Sequence, residues 1–205
     1  MNLALAKVLD RAAGAVLAGG YRAIDGISDM FSGAPRPLER VDTILLVKFW
    51  GIGNWALLRP IARDLRDRWP SARFLALTLE SNLPLVEDLV DRVLVVRPTS
   101  LFRVGTGLVG ALRALRAEGP EVAIDFEQFS TAGALLARAA GIPQRIGFSS
   151  ARRSRDALLT ARVPFRRDAH AGRSFRDLAE GPGRLDEGRV RRDRRGEPRH
   201  GGDRG

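Results

Sequence analysis

The 205-residue chain contains no cysteine, which excludes disulfide bonds and cysteine-ligated metal sites and is compatible with a reducing cytoplasm. Histidine is almost as rare, since His170 and His200 are the two present, so a histidine-based metal cluster is not expected. No apolar run reaches the roughly 18 residues that a membrane-spanning helix requires. We therefore expect no bound metal, no cofactor and no transmembrane segment.

Lysine is also scarce, because Lys7 and Lys48 are the two lysines among 34 basic residues. The others are arginines, a bias typical of a GC-rich coding sequence, so the formal net charge of +10 says little about partners.

The last 25 residues, 181–205, consist almost wholly of Gly, Arg, Asp, Glu and Pro. Their apolar surface is too small to offset the entropy of ordering them. We predict a disordered tail that arises from a wrong reading frame or from truncation. The alternative is a basic arm for nucleic acid, but acidic residues are interspersed and no aromatic residue is present for base stacking. We therefore expect no nucleic-acid partner.

The N-terminal stretch predicts an amphipathic helix over residues 1–33. Its apolar residues are interrupted by Lys7, Asp10 and Arg11 and no clear cleavage site follows, which argues against a signal peptide. Two interpretations stay open: a helix on a membrane surface, or a helix packed on the back of the domain.

From residue 41 to residue 180, apolar runs of strand type alternate with runs at helical spacing. The first run, residues 43–49, is typical of a strand buried on both faces of a parallel sheet. The pattern predicts an α/β fold with a doubly wound, mostly parallel, Rossmann-like sheet. Its predicted strands are 43–49, 73–79, 92–96, 121–126 and 145–148, and its predicted helices are 57–69, 83–89, 101–117 and 132–140. Ligands of such sheets bind beyond the carboxyl ends of the strands, so loops 49–55, 80–84 and 127–131 are expected to face the site.

The loop after the first strand, Gly51-Ile52-Gly53-Asn54-Trp55-Ala56, has the spacing of a dinucleotide-binding turn. Glu80, after the second strand, lies near the position expected for a ribose-binding acid. An NAD(P)-binding oxidoreductase domain is therefore one hypothesis, although Phe49 and Trp50 leave little room for a pyrophosphate. On either hypothesis Gly51 and Gly53 let the backbone approach a ligand at a helix N-terminus.

Several short pieces of the chain follow one another in a characteristic order. They are residues 44–54, 58–60, 69–70, 122–127 and 138–144, then Arg145-Ile146-Gly147-Phe148 after a Gly-x-Pro turn, and His170 ahead of a final helix. In order and spacing these pieces resemble the amino-terminal half of glycosyltransferase family 9, the heptosyltransferase-like enzymes of GT-B fold. The resemblance covers residues 41–180, and Arg145-Ile146-Gly147-Phe148 is its most specific part.

The resemblance implies that residues 41–180 form the acceptor-binding domain, whereas a carboxy-terminal domain would bind the nucleotide sugar. It implies inverting transfer of a sugar, from a donor of the ADP-heptose type to a hydroxyl of lipopolysaccharide or a related bacterial surface glycan. Such enzymes are expected in the cytoplasm, at the inner face of the inner membrane. Because the pattern stops near Glu180, we expect a fragment that lacks the donor domain and cannot complete a catalytic cycle.

In this family an aspartate usually follows the second glycine of the first loop and acts as the general base, but this chain has Asn54. An amide cannot accept that proton at neutral pH, so Asn54 is predicted to orient the acceptor. Glu127, at the end of a strand on the same sheet edge, is predicted as the catalytic base, followed by Glu80 and His170. A solvated loop carboxylate is the equally open alternative for Glu127.

Positive side chains near the cleft would suit an acidic acceptor, and Lys48, Arg145 and Arg152 are predicted for this role. A lysine inside an apolar strand must reach solvent or find a partner. Trp50 and Phe129 fall in predicted loops and are predicted to stack on a sugar ring. An ordinary basic face and core packing are the alternatives for the cations and for the aromatics.

Overall fold

The computed structural model describes residues 41–96, 101–128, 130–149, 153–166 and 168–181. The predicted N-terminal helix lies outside the described residues, as do Phe129, Arg152 and all of the predicted tail except Gly181. That glycine is buried and belongs to the last helix, whose described part comprises residues 171–181.

Strands and helices alternate along the described chain, as the sequence predicts. The strands are β1 (Thr43–Val47), β2 (Arg73–Leu79), β3 (Arg92–Val96), β4 (Val122–Asp125), β5 (Gln144–Ser149) and β6 (Ala161–Pro164). The helices are α1 (Ile52–Arg68), α2 (Leu101–Glu118), α3 (Ala132–Ala139), α4 (Arg153–Asp156) and α5 (171–181), and a 3₁₀ helix spans Glu80–Leu85.

The six strands form one sheet in the order β3-β2-β1-β4-β5-β6, and all its neighbouring strands are parallel. The predicted α/β class and the Rossmann-like parallel sheet are therefore confirmed. The strand order reverses between β1 and β4, where Val47 lies opposite Asp125. In doubly wound sheets the ligand crevice lies beyond the carboxyl ends of the two strands at this switch point. We call residues 48–51 the first loop and residues 126–131 the second loop.

Strand β1 lies in the middle of the sheet and is buried on both faces, as its continuous apolar run predicts. Ile44 and Leu46 pack on one side with α1 and α5, whereas Leu45 and Val47 pack on the other side with α2 and α3. Since successive side chains of a strand point to opposite faces, both layers of the core are anchored on this strand. The start of the first loop is thereby fixed.

The structure differs from the prediction after β2, and it adds the short helix α4 and strand β6, which were not predicted. Residues 83–89 do not form an α-helix; the chain makes a 3₁₀ helix over Glu80–Leu85, which contains Pro84, and proline disrupts the hydrogen bonding of a regular helix. The sequence analysis also missed β6, a four-residue edge strand of sequence Ala-Arg-Val-Pro in which half-buried and exposed residues alternate. Edge strands tolerate proline and carry a weak apolar signal.

Gly133, in the first turn of α3, tests how tightly this helix packs on the switch point. A Cβ atom there would lie 2.6 Å from Val47 Cγ1 and 3.2 Å from both carboxylate oxygens of Asp125. We expect Gly133→Ala to destabilise the protein by about 1–3 kcal/mol through overpacking. In Gly110→Ala the added methyl meets no atom within 4 Å, so this variant should be stabilised by about 0.5–1 kcal/mol through helix propensity. Urea unfolding measures both, and equal effects of the two substitutions would contradict this packing.

Candidate functional site

The candidate site lies where the first and second loops meet, and a buried ion pair joins them. Lys48, which directly follows β1, is 1% exposed, and Glu127, in the second loop, is 0% exposed. The Lys48 Nζ donates to Glu127 Oε1 at 3.1 Å and lies 5.7 Å from the centre of the Phe175 ring of α5, in a cation–π contact. The lysine therefore finds a partner instead of reaching solvent.

The same carboxylate oxygen holds the backbone of the first loop. The Phe49 and Trp50 amides donate to Glu127 Oε1 at 2.8 and 2.9 Å. One oxygen thus accepts three hydrogen bonds, one of them from an ammonium group. Hydrogen bonds to ionised groups are stronger than neutral ones, so Glu127 fixes the chain direction immediately before Gly51.

Side chains from α1, from the end of β2 and from the 3₁₀ helix bind the carbonyl groups of the first loop. The Lys48 carbonyl accepts from Trp55 Nε1 at 3.1 Å and from Thr78 Oγ1 at 2.6 Å. The Phe49 carbonyl accepts from Asn82 Nδ2 at 2.8 Å. Trp55 is fully buried, so it belongs to the frame of the loop and not to a ligand surface.

Asn54, predicted to orient the acceptor, caps the turn of the first loop. Its Nδ2 donates to the Trp50 carbonyl at 3.1 Å, and its backbone amide donates to the Gly51 carbonyl at 2.9 Å. Gly51 has a φ of +86°, and a Cβ there would lie 2.5 Å from Asn54 Nδ2, so this turn requires glycine. Gly53 is exposed with open space beside it, and the start of α1 is therefore accessible.

A second buried ion pair braces the second loop. Arg155, 1% exposed, binds Asp125 Oδ2 at 3.0 Å. Its guanidinium also donates to the backbone carbonyls of Glu127, Ser130 and Phe148, and Asp125 Oδ1 accepts the Glu127 amide at 3.0 Å. The backbone on both sides of Glu127 is thus held in place, which directs its side chain at the first loop.

Two buried acceptors in the second loop remain without a donor among the described residues. They are Glu127 Oε2 and Gln128 Oε1. Buried acceptors are normally satisfied, so these atoms mark the part of the site where a further hydrogen-bond donor would fit. The catalytic role predicted for Glu127 stays a prediction; to reach a ligand, its carboxylate would have to leave a fully buried position.

Six of the predicted site residues come together at this edge, and one does not. Arg145 lies opposite Ala123 in the sheet, on the amino-terminal side of the Asp125–Gly147 pair. Its guanidinium is bound by the carbonyls of Leu158 and Ile142, and burial, followed by repulsion from Arg138, lowers the pKa of Arg145 to about 10. Arg145 therefore has a structural role and lies away from the first and second loops. The six that meet are Lys48, Trp50, Gly51, Gly53, Asn54 and Glu127.

The sequence analysis missed the residues that frame the loops, namely Thr78, Asn82, Asp125 and Arg155. Asp125 carried a usable signal, because it is a carboxylate at the end of a buried apolar strand and must find a partner. Arg155 is one of several arginines in residues 152–155, and the sequence does not distinguish it from its neighbours.

The dinucleotide hypothesis can be compared with this geometry. In that fingerprint the third small residue lets the helix pack closely on the strand, but Ala56 is exposed and Trp55 faces the sheet instead. The two amides that precede Gly51 are occupied by a carboxylate, which would repel a pyrophosphate. Glu80 is exposed at the end of β2.

The described ranges contain no group of metal ligands and no helix able to cross a bilayer. In that part of the chain no three histidine, aspartate or glutamate side chains are grouped so as to hold a metal ion. No helix there combines the length and the apolar character that crossing a bilayer requires.

No family model matches the chain, and curated proteins give no match either. Several solved structures match it. A glycosyl transferase family 9 protein from Veillonella parvula has a TM-score of 0.63 and 20% sequence identity, over 73% of this chain and 43% of that one. E. coli heptosyltransferase WaaC, solved with ADP-2-deoxy-2-fluoro heptose, has a TM-score of 0.58 and 18% identity, over 67% and 47% of the two chains.

A third similar structure is the E. coli ADP-heptose lps heptosyltransferase II, with a TM-score of 0.56 and 20% identity, over 69% of this chain and 41% of that one. At such identities the likeness concerns the fold. The predicted structural resemblance to glycosyltransferase family 9 is confirmed in this sense, and the chain spans less than half the length of these structures.

The buried Asp125 should make stability depend on pH. Burial, opposed by the Arg155 charge and assisted by Glu127, raises the pKa of Asp125 from 3.8 to about 6. Between these two values the folded state binds more protons than the unfolded state, so the free energy of unfolding should fall as pH rises from about 4 to about 6. We expect Asp125→Asn to flatten the profile in this window, as measured by urea unfolding at a series of pH values.

The exposed Asp88 provides the control. The hydrogen bond from Arg59 lowers the pKa of Asp88 below its ordinary value, so Asp88→Asn should leave the slope between pH 4 and pH 6 unchanged. An Asp125→Asn profile parallel to that of the unsubstituted protein would show that this carboxyl does not titrate in the window.

Proposed function

We propose that residues 41–180 form the acceptor-binding half of a glycosyltransferase. In this proposal a sugar passes from a nucleotide-sugar donor, of the ADP-heptose type, to a hydroxyl of lipopolysaccharide or a related bacterial surface glycan. The donor would be bound by a second domain that the described residues do not include. The fold shared with family 9 proteins supports the class of reaction.

The proposal depends on one observation, which is that the Glu127 carboxylate accepts hydrogen bonds from the amides of Phe49 and Trp50. A phosphate-binding turn keeps such amides free for its anion. Here the protein supplies the anion itself, so the first loop suits a neutral group such as a sugar. Trp50 is half-buried and Asn54 is partly exposed at the turn, which gives an aromatic face and an amide of the kind that sugars require.

The reaction would use the first loop to hold the acceptor. The acceptor oxygen forms a bond to the anomeric carbon of the donor, the bond from that carbon to the phosphate oxygen breaks, and the nucleoside diphosphate leaves with the bonding electron pair. The hydroxyl proton passes to a base. Among the predicted bases, Glu80 and His170 are exposed and Glu127 is buried. The His170 Nδ1 accepts the Gly172 amide, whereas Glu80 directly follows β2, so we propose Glu80 ahead of Glu127 and His170 for this step.

The partners follow from the same proposal. They are a nucleotide-sugar donor and a glycan or glycolipid acceptor, met in the cytoplasm at the inner face of the bacterial inner membrane. Lys48, predicted to bind an acidic acceptor, has its charge neutralised by Glu127. We therefore propose that the sugar, and not an acidic substituent, is the group that the first loop recognises.

An NAD(P)-binding domain is the second candidate function. The strand order β3-β2-β1-β4-β5-β6 and the spacing of Gly51 and Gly53 favour it. The exposed Ala56 and the internal carboxylate weigh against it, and for this reason we place it second.

Ligand titration separates the two candidates. We expect heptose-containing core oligosaccharide of lipopolysaccharide to change the tryptophan fluorescence of the full chain in a saturable way, whereas NAD and pyrophosphate should cause no change. Trp50 is the half-buried tryptophan beside the turn, and Trp55 and Trp69 are buried. The signal should therefore disappear in Trp50→Phe and persist in Trp69→Phe.

Saturable NAD binding that is lost in Gly51→Ala would overturn the transferase proposal in favour of the dinucleotide one. Incubation of the chain with ADP-heptose and the oligosaccharide should give no transfer product, since the proposed donor domain is absent from the described residues. A product would contradict the proposed need for a second domain.

A further inference from the structure

The donors around Glu127 form a site of the kind that binds anions. Two consecutive backbone amides and an ammonium group converge on Glu127 Oε1, at 2.8, 2.9 and 3.1 Å. Consecutive amides at the start of a helix are a frequent cradle for phosphate or sulfate. In this chain the cradle lies in the interior, where both Lys48 and Glu127 have almost no exposed surface.

We propose that Glu127 is a positioning residue whose carboxylate is the resident anion of this cradle. It fixes the first loop in the conformation that exposes the start of α1, and it denies the cradle to external phosphate. The first part concerns the conformation of the chain alone. The consequence for ligand choice rests on the proposed glycosyltransferase function.

The surroundings of Glu127 support positioning more than proton transfer. Its backbone is held on both sides, by Asp125 Oδ1 on the amide and by Arg155 on the carbonyl. Its bonded oxygen already has three donors, and its second oxygen is buried. A base must meet the proton that it removes, whereas a positioning group needs only the contacts that Glu127 already makes.

The pairing of charges in the site also supports a positioning role for the Glu127 carboxylate. Lys48 lies 3.1 Å from Glu127, and Arg155 lies 3.0 Å from Asp125, so each of these two buried cations is paired with a carboxylate. Loss of one partner leaves the other charge buried and uncompensated, which is strongly destabilising. Removal of the Glu127 carboxylate should therefore create an empty cradle with a positive charge.

Chemical rescue tests the proposal in the full chain, without donor or acceptor. In Glu127→Ala, we expect hydrogen exchange of the Phe49 and Trp50 amides to accelerate by about tenfold or more, because each loses a charged acceptor. Added formate, a carboxylate small enough for the cavity, should restore slow exchange and raise the melting temperature. Sodium chloride at equal ionic strength should do neither. Selective ¹⁵N labelling of phenylalanine and tryptophan resolves the two amides by NMR.

Asp125→Ala is the matched control, since it removes a buried carboxylate that does not contact these amides. Formate should leave the exchange of its Phe49 and Trp50 amides unchanged. If Glu127→Ala does not fold, the double variant Lys48→Met/Glu127→Gln retains an acceptor oxygen without either charge, and both amides should then stay protected, with no response to formate.

Three results would overturn the proposal. The first is unchanged exchange of the Phe49 and Trp50 amides in Glu127→Ala, and the second is fast exchange of these amides that formate does not slow. The third is loss of protection from both amides in the double variant. None of these readouts depends on sugar transfer, so failure here and failure of the proposed function are distinguishable.

Discussion

The buried contact between Lys48 and Glu127 is the interaction on which the geometry of the switch point depends. It joins the residue after β1 to the loop after β4, the two neighbouring strands at which the strand order reverses. Burial of an ion pair removes water from both charged groups, which costs free energy. That cost is offset here because Glu127 also accepts two loop amides and Lys48 faces an aromatic ring. The Glu127 carboxylate therefore contributes both to the stability of the fold and to the conformation of the first loop.

This contact works only because a second pair holds the backbone from which Glu127 extends. Arg155, from the short helix α4, reaches the carbonyls at the ends of β5 and of the second loop, as well as Asp125. The carboxyl ends of β1, β4 and β5 are thus connected through two buried cations and two buried anions. Because each of these charges is balanced by one of opposite sign, all four groups can be buried, whereas a single unpaired charge there would be strongly unfavourable.

Sequence reasoning could recover the sheet, because a central parallel strand must be apolar on both faces, as Leu45 and Leu46 show. It also brought six of the predicted residues to one edge of the sheet, since glycine turns and charged residues after strands fall at the same edge. It could not foresee Arg155 or the location of Arg145, because the partners of a buried arginine are backbone carbonyls distant in sequence. Short β6 was missed for lack of a strong apolar pattern.

The strand order and the glycine turn do not by themselves choose between a dinucleotide and a sugar, since both kinds of ligand bind at the switch points of α/β sheets. The class of ligand depends instead on the group that binds the backbone amides of Phe49 and Trp50, which precede the turn. Free amides at a helix N-terminus attract a phosphate, whereas amides bound to Glu127 face a charge of the same sign as that phosphate. The Glu127 side chain, 77 residues from Trp50 in sequence, thus alters the chemistry of a turn that matches the dinucleotide spacing from Gly51 into α1. For that reason ligand class in this fold is better inferred from the contacts of the loop than from its sequence pattern.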